Sequence, residues 1–589
     1  MQFLHADGRL IKNEEGREVL LQGYGLGNWM VQEGFLFGSC EFMAGGMRPF
    51  MRQEGMDGGR SIDQTIIECC GRSYASSFWK KFYENYFGEE DVKDLAGRGV
   101  NSVRIPLNAR VLLEEEPGIQ WNEDGFAALT KVVDLCETYG LYTILDLHAA
   151  AGGQSAIGCD DGWDNQPHLF TDEESWERTI VLWEELARRF KDRASVAGYE
   201  LLNEPLSLPV TDPLLPRLAE FYEECISRIR KIDRRHIIFL QGHRFASRAD
   251  IFLNPVYIPA KSAAAGLTAP GEWVDPECGN WVLTYHMYET LPDLGSLGHI
   301  FAESGELNVP VWMGETGGSS EYMTVLYEML REMHIGINVW CHKGEESSDA
   351  AWLCSFKTPK EFDLIRKYAR EGGPKPSYEH AIRIFDEYLE NIRFENCEKH
   401  GGRTCAILRK APLPTDSAER EERVLTVPAT GYDMLPGRDL TKEGDGEGSF
   451  FGREQYASFT GYRREDHMRV VCEPDFVPYE SAAFAWTGGR APKYGDWPHL
   501  ELALDEGEYA SYMLRQIETD TELILTLRTK AAAELEIGIR NATLHLSVPC
   551  TNGKLKEVCA GTVPAGTDTS VRLRCAEGSV TLREICFRR

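Results

Sequence analysis

The chain of 589 residues is short of positive charge, with 63 Lys and Arg against 93 Asp and Glu and a formal balance of −30. Phosphate binding draws on an excess of Lys and Arg, which makes nucleic acid an unsuitable partner. Also missing is any apolar run near the roughly 20 residues that a membrane helix needs, so no membrane association is expected. The opening Met1-Gln2-Phe3-Leu4-His5-Ala6-Asp7-Gly8 has neither a cationic nor an apolar stretch, and the expectation is a cytoplasmic protein. The 16 cysteines form no C-x-x-C pair, which removes the common zinc and redox motifs. Cys136, Cys225 and Cys341 lie inside apolar runs and read as reduced core thiols. What is present is ordinary core material: hydrophobic residues at 42% and aromatics at 11% are enough to exclude disorder.

From about Leu20 to Trp340, short β-branched runs alternate with helical stretches, the pattern of a parallel sheet with crossover helices. The runs are Val19–Tyr24, Ser102–Ile105, Leu141–Leu147, Val196–Leu202, His236–Gln241, Trp281–Tyr285, Val309–Met313 and Ile335–Trp340. That count closes a (β/α)8 TIM barrel. Helices are expected at Phe126–Tyr139, Glu173–Phe190, Leu214–Ile232, Ser320–Met333 and Ser377–Phe394. In Glu173–Phe190, Trp176, Ile180, Trp183, Leu186 and Phe190 recur on one face, which reads as core. Two connections are long, Gly25 to about Tyr74 and Asn254 to about Glu277, and both read as loops. The barrel domain is placed at residues 1–396 and a Gly-, Pro- and charge-rich linker at 397–448, with one short strand near Val424–Val427. Residues 449–589 carry alternating strands without helices, the pattern of an antiparallel β-sandwich.

Active sites of such barrels stand at the carboxyl ends of the strands. Polar residues collect there: Arg104 after strand 2, Asp146 and His148 after strand 3, and Asn203-Glu204-Pro205 after strand 4. His286 and Tyr288 follow strand 6, Glu315 follows strand 7 and Trp340 ends strand 8. Any one of these is most simply a hydrogen-bonded packing residue. Together at one rim, buried carboxylates, Arg and His are costly unless they pair with one another or face a ligand. Glu204 and Glu315 lie on nearly opposite strands, which suits glycosidic cleavage by one carboxylic acid and one carboxylate. The neighbouring Arg, His and Tyr are groups that can keep the two in different protonation states.

The set Val103-Arg104-Ile105-Pro106, Asp146-Leu147-His148, Leu202-Asn203-Glu204-Pro205, His286-Met287-Tyr288, Met313-Gly314-Glu315 and Trp340 resembles glycoside hydrolase family 5 in residues and order, over about Phe3 to Tyr368. The resemblance implies a retaining enzyme with Glu204 as acid/base, Glu315 as nucleophile and Asn203 on the sugar 2-hydroxyl. It implies that Arg104 and Tyr288 bond the nucleophile, that His148 and His286 line the subsite of the cleaved sugar, and that Trp340 is its stacking floor. It implies no metal and no cofactor. Gly27-Asn28-Trp29-Met30-Val31-Gln32-Glu33-Gly34 is similar to an element of the family's exo-β-glucanases and β-glucosidases, which gives Glu33 the outer hydroxyls of a terminal glucose. The run from Asp146 to Gln154 with Asp164-Asn165 resembles their loop after strand 3, whose acidic residue, here Asp164, reaches toward the leaving group. Gly34 in place of Pro, an insertion from Ser155 to Trp163 and the long first connection depart from that pattern and bear on specificity.

The expected function is a retaining β-glycosidase acting on β-linked oligosaccharides or small glycosides, releasing a terminal sugar. Alternatives are an endo-acting β-glucanase or mannanase and, from another class, a catalytically silent glycan-binding barrel. In the sandwich, Trp486, Tyr494 and Trp497 are candidates for stacking sugars, with packing on their own sheet as the alternative.

Overall fold

A computed structural model of the chain describes residues 1–40, 55–115, 117–288, 294–317, 333–346, 352–399, 425–429, 469–472, 500–517 and 519–588, with single positions between 318 and 332 and Tyr432. A hairpin, β1 (Leu4–Asp7) and β2 (Leu10–Asn13), precedes eight parallel strands that close into a barrel. These are β3 (Gln22–Gly25), β4 (Ser102–Asn108), β5 (Tyr142–Ala149), β6 (Val196–Glu200), β7 (Ile237–Gln241), β8 (Trp281–Tyr288), β9 (Val311–Gly317) and β10 (Gly336–Val339). Each expected barrel strand is found, displaced by a few residues. The reason is legible in β5, whose Ile144, Asp146 and His148 share one face. Ile144 joins Phe239 and Trp312 in an apolar layer that the hairpin's Leu4 and Ile11 cover. Two residues further along, β5 carries Asp146 and β7 carries Gln241, both buried and polar. The lower barrel is thus a packed plug on which the site stands.

The helices Glu123–Thr138, Glu173–Phe190, Leu215–Arg230 and Tyr378–Asn391 match expectation, each with one buried apolar face. The expected helix Ser320–Met333 falls largely outside the described residues. The connection read as a loop from Gly25 to Tyr74 is corrected: Gly59–Tyr86 is helical, broken at Gly71 with φ 79° and ψ 159°. Its Ile62, Ile66, Cys69, Phe78, Phe82 and Tyr86 are buried at helical spacing, a signal that Gly71 and the paired glycines at its start obscure. No helix among the described residues is long and apolar enough to cross a membrane.

Past the barrel strands run a small sheet of β11 (Lys343–Glu345), β12 (Cys354–Phe356) and β13 (Glu398–Lys399) and then the second unit. One compact unit comprises Met1–Tyr288, Ile300–Thr316 and His334–Glu398; the other comprises Lys399–Arg589 with Glu289–His299 and Gly317–Met333. The second is an antiparallel sandwich, as expected. One sheet joins β14 (Leu425–Pro428), β15 (Arg469–Cys472), β16 (Leu500–Asp505), β18 (Thr521–Arg528), β21 (Lys556–Val563) and β23 (Ser579–Arg588). The other joins β17 (Tyr509–Ile517), β19 (Ala533–Ile539), β20 (Ala542–Val548) and β22 (Gly566–Glu577). Leu523, Leu525, Leu535, Ile537, Leu573 and Ile585 meet in its core. The linker boundary moves: β14 lies inside the span 397–448 read as linker, yet it pairs antiparallel with β23, so the sandwich begins by Leu425. Pairing with the chain's last strand is invisible to local composition. Trp486, Tyr494 and Trp497 lie outside the described residues.

Gly71 occupies a backbone region open essentially to glycine alone, and nothing stands within 4 Å of a Cβ placed there. Gly71→Ala should therefore lower the unfolding free energy by about 1–3 kcal/mol through backbone strain. Gly97, helical, exposed and equally uncrowded, should gain up to about 1 kcal/mol on replacement by Ala. Urea unfolding of both variants checks the two signs together.

Candidate active site

Arg104, on β4, is completely buried in the barrel. Its Nε donates to Glu200 Oε2 at 2.6 Å, Nη1 to Glu315 Oε1 at 2.5 Å and Nη2 to Asn203 Oδ1 at 2.7 Å, with Asp146 Oδ2 3.0 Å from Nη2. Burial lowers the guanidinium's affinity for its proton, but Asp146, Glu200 and Glu315 outweigh it and push that affinity above the ordinary value. The fork of donors suits Arg and not Lys, because each acceptor lies in a fixed direction.

Glu204 follows β6 on a left-handed backbone, φ 42°, and Leu206 has φ 49°. Non-glycine residues rarely adopt this region, and a residue before proline is further restricted. The strained turn is held at both ends: Glu204 N–H donates to Gln241 Oε1 at 2.6 Å, and Ser207 Oγ donates to Glu204 O at 2.8 Å. His286 Nδ1 lies 2.8 Å from Glu204 Oε1. Burial pushes the Glu204 carboxyl up to about 7 against the opposing pull of His148 and Arg104. Burial also pushes both His148 and His286 down to about 4, so both rings are neutral.

Glu315 reaches the lumen through a β-bulge. Ile337 pairs with Met313 while Val339 pairs with Thr316, so β9 spends one residue more than β10 between the two pairs. The extra residue turns Glu315 inward. Its Oε2 accepts from Tyr288 Oη at 2.9 Å and lies 3.5 Å from His286 Nδ1. Gly314 leaves the space these groups need: a Cβ there would stand 2.4 Å from Thr284 Cγ2, 3.3 Å from His286 Nε2 and 3.4 Å from Glu200 Oε1. Donor atoms of Glu204, His286 and Glu315 all lie within 4.8 Å of one another. Among the described residues these three are also the one group close enough to share a metal ion; the hydrogen bonds of Arg104 and Tyr288 already occupy both Glu315 oxygens.

A second chain of bonds runs through His148. His148 Nδ1 lies 2.8 Å from Asp146 Oδ2 and its Nε2 3.2 Å from Asn203 Nδ2, which makes the ring a donor to Asp146 and an acceptor from Asn203. Burial raises Asp146 to about 7, with Arg104 opposing and Glu204 adding. The Trp340 ring lies parallel to His148, centroids 5.4 Å apart and 7° between planes. Glu33 is buried, its carboxyl raised well above the ordinary range by burial first and then by Glu315 and Glu204. Of the ten expected site residues, nine therefore converge on one lumen.

Asp164 does not. Its side chain is 55% exposed and pairs with His168 at 3.0 Å. The insertion before it explains the difference: Asp160 accepts from Gln154 N, Ser155 N, Ser155 Oγ and Gly162 N and so tethers the loop early, while Asp161 binds Arg60 and Arg110. The loop end carries Trp163, 67% exposed, with the Arg60 guanidinium 3.9 Å over its ring.

Sequence reasoning missed Glu200, Gln241 and Gln154. Gln154 Nε2 ties His148 O to Asn203 O, at 2.7 and 2.9 Å. The signal for Glu200 and Gln241 was available, a polar residue near or at the carboxyl end of an otherwise apolar strand run.

Residues 63–346 match the family described as Cellulase (glycosyl hydrolase family 5). A β-xylosidase of Phanerodontia chrysosporium is 34% identical over 249 residues, 42% of this chain and 48% of that protein. Cellodextrinase A of Ruminococcus flavefaciens is 35% identical over 173 residues, 29% of this chain and 48% of that protein. A glucan 1,3-β-glucosidase of Lachancea kluyveri is 28% identical over 232 residues, 38% and 49% of the two chains. The chain spans about half the length of the curated relatives it matches. With the rim carboxylates, Arg104, both histidines and Trp340 in one barrel, residues 63–346 of the chain are a glycosyl hydrolase family 5 domain.

Proposed function

We propose that this protein is a retaining β-glycosidase that releases a terminal sugar, glucose in the first instance, from β-linked oligosaccharides or small glycosides. The observation that carries the reading is the approach of Glu204 and Glu315 within 4.8 Å. Retaining enzymes hold their carboxyl groups about 5–5.5 Å apart, whereas inverting ones leave room for water at roughly 6.5–9.5 Å. The Glu315 carboxylate attacks the anomeric carbon while Glu204 gives its proton to the glycosidic oxygen, so that the C–O bond breaks and the leaving alcohol departs neutral. Glu204, now ionised, takes a proton from water, whose oxygen attacks the same carbon and frees Glu315. Both steps invert, and the net result is retention.

The relatives' names include a β-xylosidase, a glucan 1,3-β-glucosidase and endoglucanase C. A third buried carboxyl, Glu33, close enough to Glu204 and Glu315 to feel both charges, supports exo action, because it offers hydrogen bonds to the hydroxyls of a sugar that ends in the pocket. The cytoplasmic location that goes with this reading rests on Cys136, Cys225 and Cys341, which are buried and unpaired.

Four outcomes follow from this reading. Glu315→Ala should abolish turnover of activated aryl β-glucosides, with azide restoring it as the inverted glycosyl azide. Glu204→Ala should cost about 100-fold or more on poor leaving groups and far less on good ones, as expected when general-acid assistance is lost; equal losses across a leaving-group series would remove the acid role. Because the acid must be protonated in the free enzyme, kcat/KM should fall as pH rises through about 7, on a limb shared by the interacting Glu204 and Asp146. Finally, linkage-defined oligosaccharides should lose one sugar at a time from the non-reducing end, and Glu33→Ala should weaken that preference; early release of internal fragments would favour the endo reading.

A further inference from the structure

Gln241, the last residue of β7, is fully buried. Its Oε1 accepts Glu204 N–H at 2.6 Å, while its Nε2 lies 2.6 Å from Glu200 Oε1 and 3.1 Å from His286 Nε2. The amide has one workable orientation. A backbone N–H only donates, so the atom facing it is the oxygen, and the nitrogen is left with Glu200 and His286. That nitrogen only donates, so His286 Nε2 accepts, and a neutral imidazole then carries its single proton on Nδ1. Nδ1 is the atom that lies 2.8 Å from Glu204 Oε1 and 3.5 Å from Glu315 Oε2.

We propose that Gln241 is a positioning residue that fixes the Nδ1–H tautomer of His286, so that the ring donates to Glu204 and leaves the carboxyl proton on the oxygen that serves the leaving group. In the other tautomer Nδ1 would be an acceptor and would draw the Glu204 proton to itself, away from the glycosidic oxygen. Gln241 holds the acid at a second point as well, through the backbone N–H of the strained residue. Arg104 is drawn into the same unit, because the carboxylate that receives Gln241 Nε2 also receives Arg104 Nε at 2.6 Å. A single amide thus links the acid, its histidine and the cation that binds the nucleophile. The consequence for catalysis rests on the acid/base reading of Glu204; the tautomer does not.

The test is the ¹⁵N spectrum of the full-length protein labelled in histidine, with His286 assigned from the signal lost in His286→Gln. The expected wild-type pattern is a protonated Nδ1 and a bare Nε2. Gln241→Met, which removes the donor, should redistribute the proton toward Nε2, and Gln241→Glu, which sets an acceptor against Nε2, should move it there more completely. Should the Met variant fail to fold, the Glu variant carries the experiment. Both should lower kcat/KM at least about tenfold more for poor leaving groups than for activated aryl glycosides, the signature of impaired proton donation. A bare Nδ1 in the wild type, or an unmoved tautomer in the variants, would overturn the proposal even with Glu204→Ala behaving as an acid variant. A moved tautomer with equal losses across leaving groups would overturn its link to Glu204. If Glu204→Ala itself lacked leaving-group dependence while the tautomer moved as expected, the acid reading would fail and the tautomer assignment would stand.

Discussion

One buried cation governs this site. Arg104 is the only Arg or Lys in an ion pair with Glu315 among the described residues, Asp146, Glu200 and Glu315 stand against it, and Glu204 and Glu33 lie in the same lumen, all five buried. Five carboxylates and one guanidinium in a water-poor lumen cannot all be charged, since each uncompensated charge costs several kcal/mol even after relaxation. Glu200 and Glu315 receive the Arg104 Nε and Nη1 directly. Burial drives Glu204 and Glu33, which Arg104 does not bond, upward, and it also raises Asp146 to about 7 although Arg104 Nη2 lies 3.0 Å away. In the proposed reading, the guanidinium bonds the nucleophile Glu315 directly and leaves the acid Glu204 to burial.

That arrangement demands backbone that ordinary strands do not provide, and the strain concentrates where the demand is. Glu204 and Leu206 are left-handed, and so are Arg244, Phe245 and Ala246 in the turn after β7, with φ of 58°, 57° and 53°. The two turns support each other: Arg244 N–H donates to Leu206 O, and His286 N–H donates to Ala246 O. Left-handed residues other than glycine cost on the order of 1–2 kcal/mol each, so the surrounding packing over-determines a geometry that local preference opposes. On the opposite side the bulge at Gly314 and Glu315 achieves the same end without a positive φ, by spending one extra residue. Glu204 and Glu315 are thus aimed by different backbone devices.

This also explains what the sequence disclosed. The barrel was legible because fully buried parallel strands read as apolar runs, and because Arg104, Glu204, His286 and Glu315 each interrupt such a run near its carboxyl end. Asp164 was misplaced because an insertion changes where a loop is tethered: Asp160 takes the four donors that fix the turn, and the chain beyond it leads outward. The helix Gly59–Tyr86 was read as loop because Gly71 breaks its periodicity at a point where the structure tolerates only a glycine. Strand β14 was expected near Val424–Val427, but its place in the sandwich was hidden, because its partner lies more than a hundred residues away. Local pattern fixes elements; it does not report pairings or tethers.

The two histidines show how orientation and proton transfer are kept apart. Both are neutral because burial depresses them to about 4, and each has one ring nitrogen on a carboxyl and the other on a side-chain amide. Asn203 supplies the amide for His148, and Gln241 supplies it for His286. A histidine with an ordinary affinity would titrate near neutrality and compete with Glu204 for the proton that the proposed mechanism gives to the leaving group. Held neutral and bound at both nitrogens, the rings instead set directions, while the carboxyls raised to about 7, Glu204 and Asp146, are left to exchange protons. The same burial that makes the imidazoles poor bases makes the acid a good one, so a change that admitted water to this lumen would degrade both properties together.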